Sequence, residues 1–427
     1  MEKILRAIEK IIPTPIYTFG QPFYHRLLAF FGALFYRFPS HNIKIVAVTG
    51  TKGKTSTVEF VNSTLEGAGF KTALASTLHF KVGENDEPNL YKMTTPGRFF
   101  LQKFLRRAIS AKCDWVVLEL TSEAVKQMRH LHISLDALIF TNLAPEHIES
   151  HGSFENYRDA KRELGIALST SSKLRRVMIA NSDDPESAYY LSLPHVEPFP
   201  FSLETVAPYS TKISGASFTF DGLEIRTAFP GTFTIYNALA ASMFARSQNI
   251  DTAIIRKSIE HVQSIPGRAE KIDAGQDFSV IVDYAHTPDS LIAIYSAYPD
   301  RKKICILGST GGGRDTWKRP EMGAIAENYC SEVILTNEDP YDEDPQEIVD
   351  ALARGFKTTH PKIILDRRGA IRTAISHAKT DDVILITGKG TDPYIMGPNG
   401  TKQVWSDAKV SKEELSRILE QSQRNNK

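Results

Sequence analysis

Short apolar runs alternate with amphipathic stretches along most of this chain. Residues 43–49 (IKIVAVT), 114–120 (DWVVLEL) and 137–143 (ALIFTNL) are nearly unbroken aliphatic runs, the pattern of parallel strands buried on both faces. Residues 55–68 read as a helix between the first two, and further helical patterns separate the rest. A second set follows at 278–285 (FSVIVDYA), 302–309 (KKICILGS), 331–337 (SEVILTN), 361–366 (PKIILD) and 381–388 (DDVILITG), again with helical stretches between. This alternation predicts two α/β units with mostly parallel sheets. The segment between them, about 190–235, is richer in Pro, Ser and Thr and reads as short strands and loops. No internal repeat or low-complexity tract is present. The expected layout is a short helical, aromatic-rich segment over 1–42, a central α/β domain over 43–266 and a Rossmann-like α/β domain over 267–427.

The front of the chain differs in character. Residues 1–12 (MEKILRAIEKII) have the spacing of a short amphipathic helix, not the basic start, apolar run and small-residue site of a signal peptide. Residues 23–38 (FYHRLLAFFGALFYRF) lie between Pro22 and Pro39 and are dense in aromatic residues. That run is too short to span a bilayer, which takes about 20 apolar residues. It fits a helix packed on the next domain, an interfacial helix touching lipid or a lipid-linked substrate, or an oligomer contact.

Composition narrows the function classes. For 427 residues, at roughly 150 per domain, two or three domains are expected. The hydrophobic fraction of 41% and charged fraction of 24% exclude a disordered chain, a collagen-like chain and a multi-span membrane protein. With Lys+Arg 51 against Asp+Glu 50, the net charge of +1 gives no footprint for nucleic acid. Cys113, Cys305 and Cys330 form no CxxC pair, so neither a disulfide framework nor a zinc ribbon is expected, and a reducing cytoplasm is the natural compartment.

The strongest local signal is Gly50-Thr51-Lys52-Gly53-Lys54-Thr55-Ser56, which follows the first strand and opens a helix. Glycines let backbone N–H groups approach phosphate oxygens, Lys54 can neutralise β/γ charge, and the Thr55 hydroxyl can reach Mg²⁺. The strict Walker A spacing would place glycine at position 48, which is Val48; this is a shorter variant of an ATP-binding loop.

Six motifs then occur in one order: the loop GTKGKTS, TNLAPEHIESHGSFENYRDAKREL (141–164), GRAE (267–270), DYAHTPDS (283–290), GGGRDTWKRPEMGAIAE (311–327) and GKGTDPY (388–394). Together they resemble the Mur ligases, ATP-dependent ligases of the peptidoglycan stem peptide, and among these the members that add the third residue. The resemblance covers residues 43 to about 415. It implies a P-loop central domain, ATP and Mg²⁺ as cofactors, and a muramoyl peptide and a free amino acid as substrates. Only about 42 residues precede the first strand, where those members carry a uridine-nucleotide domain. In this the chain is similar to folylpolyglutamate synthetases and to the ligase subunit acting on lipid-linked peptidoglycan, so a lipid-linked or polyglutamate-type carrier stands as the alternative. An ATP-binding scaffold without catalysis is the alternative from another class; the presence of Lys54, Glu119, His147 and Lys161 argues against it.

The family reaction activates a carboxylate as an acyl phosphate, which an amine then attacks. It demands charge neutralisation and alignment more than covalent help. By resemblance Lys54, Glu119, His147 and Lys161 are catalytic, and Thr55, Glu119, His147 and a carbamylated Lys161 bind Mg²⁺. An unmodified lysine would repel the ion, whereas a carbamate offers an anionic oxygen. The nucleotide is expected at Gly50–Ser56, Asn142, Asn237, Arg268 and Asp283. The acceptor is expected at Thr94, Thr95, Ser122, Gln127 and Arg129, with Glu123 replacing the family's histidine. Arg314, Asp315, Lys318, Arg319, Lys389 and Asp392 match the amino-acid side. In members using diaminopimelate a DNPR arginine holds the distal carboxylate; here the run is Asn337-Glu338-Asp339-Pro340-Tyr341. Loss of that cation, with acidic Glu338, Asp339, Asp342, Glu343 and Asp344 nearby, favours a cationic side chain such as lysine.

Overall fold

The computed structural model describes residues 14–146 and 148–425. Two compact units result. The first comprises residues up to Leu143, Glu155–Ser202 and Ala240–Ile254; the second comprises Ala144–Phe154, Leu203–Leu239 and the chain from Ile255 on.

The first unit is built on an eight-stranded sheet. Its strands are β1 (Lys44–Thr49), β2 (Thr72–Ala75), β3 (His79–Val82), β4 (Asn85–Pro88), β5 (Trp115–Glu119), β6 (Ala137–Phe140), β7 (Val177–Asn181) and β8 (Glu197–Phe201), in the order β4-β3-β2-β5-β1-β6-β7-β8. The run from β2 to β8 is parallel, and β3 and β4 add antiparallel pairs at one edge. The three apolar runs read from the sequence are β1, β5 and β6, buried as expected. The register pairs Val48 with Glu119 and Thr49 with Phe140. The C-terminal ends of β2, β5, β1 and β6 therefore line one edge, where open α/β sheets place their ligands.

Four strands of this sheet, β2, β3, β4 and β7, were not read from the sequence, while β8 falls in the segment read as short strands and loops. β2, β3 and β4 are four residues each, and β4 (NDEP) is exposed along its length. Such segments are strands because neighbours pair with them, not because of their own propensity. The helix expected from residue 23 instead spans Thr14–Phe35 and carries Pro22 within it. Its inward side is small: Ala29 and Ala33 are buried, and a Cβ at Gly32 would sit 3.6 Å from the Phe99 ring of helix Arg98–Ser110. Its large side chains point outward; Phe23 is 69% and Phe35 73% exposed. The amphipathic helix expected over 1–12 lies outside the described residues.

In the second unit, β9 (Ser210–Lys212), β10 (Gly215–Phe220) and β11 (Leu223–Thr227) form an antiparallel sheet, in the segment read as short strands. The main sheet holds β12 (Glu270–Ile272), β13 (Ser279–Val282), β14 (Lys303–Leu307), β15 (Glu332–Leu335), β16 (Lys362–Ile363) and β17 (Val383–Ile386), ordered β12-β13-β17-β14-β15-β16. Only the edge strand β12 is antiparallel. A hairpin of β18 (Tyr394–Met396) and β19 (Lys402–Val404) follows. The five apolar runs of this half are the five parallel strands.

One expectation is corrected here. Cys305 and Cys330 form a disulfide, with Cα atoms 6.1 Å apart. Cys305 is on β14 and Cys330 ends the helix Lys318–Tyr329 that returns the chain to β15, the strand paired with β14. The crossover brings together two cysteines whose sequence separation of 25 gave no signal.

Candidate active site

The loop after β1 turns where only glycine fits. Gly50 has φ 144°, and a Cβ there would sit 1.9 Å from Thr141 Oγ1. Gly53, at φ 79°, precedes helix Lys54–Gly67, whose N-terminus has no side-chain cap. Its first amides thus have the helix-end geometry that suits a phosphate. The end of β6 clamps the loop from below. Thr51 N donates to Asn142 O at 2.8 Å, Lys52 N donates to Asn142 Oδ1 at 2.9 Å, and Thr141 Oγ1 donates to Lys52 O at 2.7 Å. Asn142, expected at the nucleotide, sits on the loop itself. The Lys54 ammonium folds back to Gly50 O (3.0 Å) and Thr51 O (2.8 Å).

Beside the loop, Glu119 ends β5 and is 3% exposed. Thr55 Oγ1 donates to its two oxygens at 3.1 and 3.2 Å, and Thr77 donates from both its N–H (2.9 Å) and its hydroxyl (3.0 Å). Thr77 follows β2 and was missed by sequence reasoning, which assigned no element to this stretch. Lys161, buried on helix Phe154–Ser169, donates to Gly50 O at 2.6 Å and lies 4.9 Å over the Tyr157 ring. The Tyr157 hydroxyl meets Thr51 Oγ1 at 2.9 Å; Tyr157 also went unremarked in the sequence. Gly50, Lys54, Thr55, Glu119 and Lys161 are thus one constellation. His147 lies outside the described residues.

The residues expected at the acceptor form the next layer. Thr94 Oγ1 meets Thr77 Oγ1 at 2.8 Å, and Thr95 Oγ1 donates to the Glu119 carbonyl at 2.9 Å. Arg129 donates to the Thr95 carbonyl and, at 2.6 Å, to Gln127 Oε1. Gln127 Nε2 in turn donates to Glu123 Oε1 at 2.7 Å. Buried Ser122 opens the short helix Ser122–Lys126.

In the second unit most of the expected residues follow strand C-termini, while Arg268 precedes β12 and Asn237 lies on a helix. Asp283, after β13, accepts from Ala269 N (2.7 Å) and Ala285 N (2.8 Å). Burial pushes its carboxyl up, opposed by those bonds and by Arg268. Arg268 stacks on Tyr284 at 4.6 Å, and Asn237 is buried in helix Thr232–Ser247. The acidic run after β15 divides into two sets. Glu338 accepts from Thr310 Oγ1 at 2.7 Å, and Asp339 pairs with Lys389 at 2.8 Å; Lys389 also lies 3.5 Å from Asp392. Asp342, Glu343 and Asp344 instead line a cavity of about 620 Å³ with Glu347, Gly312 and Gly313. Arg319 donates to Glu343 through both terminal nitrogens, and this bond holds the Glu343 carboxyl below its ordinary value. Arg314 lies 5.0 Å over the Tyr341 ring, and Lys318 Nζ is 3.7 Å from Asp315. Glu338 and Asp339 therefore belong to internal pairs, and Glu347 is an addition that the sequence did not flag.

Two family models match in the order of the two halves: "Mur ligase middle domain" over residues 48–245 and "Mur ligase, glutamate ligase domain" over 267–390. The UDP-N-acetylmuramoyl-L-alanyl-D-glutamate–2,6-diaminopimelate ligase of Syntrophomonas wolfei is 36% identical over 403 residues, covering 91% of this chain and 81% of that relative. The chain belongs to the Mur ligase family. A solved structure of a ligase with that same substrate name superposes with a TM-score of 0.60 at 26% identity, over 88% of this Mur ligase and 79% of the other chain. The folylpolyglutamate synthase of Mycobacterium tuberculosis, at 16% identity, shares the fold alone, with a TM-score of 0.69 over 86% of this chain and 95% of that one.

Membership makes this Mur ligase an ATP-dependent carbon–nitrogen ligase. Its donor set fits a hard cation in part. Glu119 and Thr55 offer oxygens beside the loop, while among the described residues no three His, Cys, Asp or Glu side chains converge on a metal position. Among those residues, too, no helix is long and apolar enough to cross a membrane.

Proposed function

We propose that this Mur ligase joins the free carboxylate of a muramoyl peptide to an amine of a diamino acid, converting ATP to ADP and phosphate. What carries the reading is the meeting of the glycine loop, Lys54, Thr55 and Glu119 at the ends of β1 and β5, in a chain with relatives named for muramoyl-peptide ligation.

The acceptor carboxylate attacks the γ-phosphorus and ADP leaves. The amine nitrogen then attacks the acyl carbon of the acyl phosphate, the C–O bond to phosphate breaks, and the nitrogen gives up a proton. Lys54 and the helix N-terminus balance charge on the transferring group. Thr55 and Glu119, with His147 and a carbamylated Lys161, are the residues that would hold Mg²⁺. The bound ion supplies charge neutralisation between two anions. Thr95, Gln127 and Arg129 orient the acceptor.

The amino-acid preference rests on the cavity walled by Asp342, Glu343, Asp344 and Glu347. Arg319 balances one of these carboxylates, and the remainder suit an ammonium group. Lysine and 2,6-diaminopimelate both carry a distal ammonium; Tyr341 in place of the expected arginine favours lysine, and the relatives' names favour the second. The test is phosphate release with UDP-N-acetylmuramoyl-L-alanyl-D-glutamate, ATP and Mg²⁺ across lysine, meso-diaminopimelate, alanine and glutamate. Release confined to a diamino acid, with a tripeptide product of matching mass, supports the reading. Equal turnover of alanine overturns the preference, and release independent of acceptor overturns the ligase.

A further inference from the structure

A cationic cluster lies in the first unit, apart from the phosphate loop. It draws His25 from helix Thr14–Phe35, Arg98 from the start of helix Arg98–Ser110, and Arg129 from the loop after Lys126. Each guanidinium spends a terminal nitrogen on a carbonyl, Arg98 on Gln127 O and Arg129 on Thr95 O. The Nε–H groups of both arginines are buried without a hydrogen-bond partner, and so are both ring nitrogens of His25. Arg129 is only 8% exposed. Burial, Arg98 and Arg129 hold His25 down at about 4, with Glu123 opposing; burial and then Arg129 hold Arg98 at about 10, with Tyr24 opposing. Glu123 is thus the carboxylate facing this cluster, and Gln127 already engages it. Buried donors without acceptors are costly, and charged ones more so. A cluster of this kind is complementary to an oxyanion with more than one charge.

We propose that His25, Arg98 and Arg129 form a phosphate-binding site that holds the phosphate or diphosphate of the acceptor's carrier. The proposal rests on the ligase reading and extends it to the end of the acceptor away from the chemistry. The cluster is separated from Glu119 by Thr95, which donates to the Glu119 carbonyl and accepts from Arg129. The reacting carboxylate belongs on the Glu119 side; the anion held here is a different one. Binding energy from that remote group would position the reacting carboxylate. The same chemistry has two sources, a nucleotide diphosphate or a lipid diphosphate. The helix that contributes His25 exposes Phe23, Leu27, Phe31, Leu34 and Phe35, so the lipid source is tested beside the nucleotide.

The experiment follows the His25 ring proton by NMR in the full chain, with a non-hydrolysable ATP analogue keeping probes off the glycine loop. Pyrophosphate is expected to raise the His25 titration midpoint from about 4. Arg98→Gln should weaken that response at least tenfold and Arg98→Lys should retain part of it. UDP, and phosphatidylcholine vesicles with and without undecaprenyl diphosphate, are the two source arms; a response to either supports the site and names its ligand. A His25 signal that ignores pyrophosphate, UDP and vesicles overturns the proposal, as does one moved only by glutarate. Phosphate release is scored separately. A responsive His25 in a chain without acceptor-dependent turnover leaves the site standing and removes the ligase reading, and the converse removes only the site.

Discussion

The Lys161 ammonium donates to the Gly50 carbonyl at 2.6 Å, on the same oxygen that Lys54 reaches at 3.0 Å. Two cations on one carbonyl suit a loop awaiting phosphates, but an ammonium so placed repels Mg²⁺. Carbamylation of Lys161 would replace that charge with an anion. Protein stripped of CO₂ is expected to lose turnover and regain it with bicarbonate. Lys161→Arg, which keeps the charge and cannot form the carbamate, should lose roughly 10²-fold or more in kcat. Near-normal turnover in that variant would remove the carbamate from the scheme.

Thr77 gives a prediction independent of resemblance. It donates twice to Glu119, from backbone and side chain. Thr77→Val removes the hydroxyl and keeps the shape, so Glu119 loses an orienting bond. Partners of metal ligands typically matter by about 10–100-fold in affinity or activity. The Mg²⁺ concentration needed for half-maximal turnover should rise by about that factor, with the KM for the amino acid unchanged. A shift in the amino-acid KM alone would place Thr77 outside the metal site.

These two residues show what could be read beforehand. Lys161 was legible because its motif is long and its neighbours are fixed in order. Thr77 was not: β2 is four residues long and its pairing with β5 is a long-range property. The buried runs that became β1, β5, β6, β13, β14, β15 and β17 were legible for the opposite reason, being apolar on both faces; β16, exposed at Lys362 and Ile363, was read from its aliphatic run alone. The acidic run was half legible. Its composition announced negative charge, but only the fold assigns Asp339 to Lys389 and Asp342 to the cavity.

His79 supplies a pH dependence. On β3, its Nε2 meets Glu59 of helix Lys54–Gly67 at 2.9 Å and its Nδ1 meets Asp86 of β4. Burial alone would lower its pKa, but the bonds and charges of Glu59 and Asp86 outweigh it and raise it from 6.5 to about 9. A group raised in the folded state stabilises fully below its unfolded value and loses that contribution as pH rises through the folded one. Urea midpoints should therefore fall between pH 6.5 and 9, and His79→Gln should flatten that fall. An unchanged slope in the variant would assign the dependence to other groups.

The second unit depends on Arg367 and Asp407, an ion pair at 2.7 Å with side chains 1% and 0% exposed. Arg367 also donates to Asn337 O (3.2 Å) and Thr387 O (2.9 Å), and Trp405 Nε1 donates to Asp407 at 2.8 Å. Those two carbonyls immediately precede Glu338–Asp339 and Gly388–Lys389, so the buried pair fixes the strand ends that carry the Asp339–Lys389 bridge. Removing one partner strands a charge in the interior, which costs about 3–5 kcal/mol, whereas an apolar pair of similar volume is often nearly neutral. Asp407→Asn should lower the urea midpoint sharply. Arg367→Met with Asp407→Leu should recover most of the stability, yet leave the two carbonyls without their donor. The double variant is then expected to fold, bind ATP normally and show a raised KM for the amino acid. A double variant with unchanged KM would make the pair purely structural, and one as unstable as Asp407→Asn would mean the carbonyl bonds, not the charges, hold this end of the sheet.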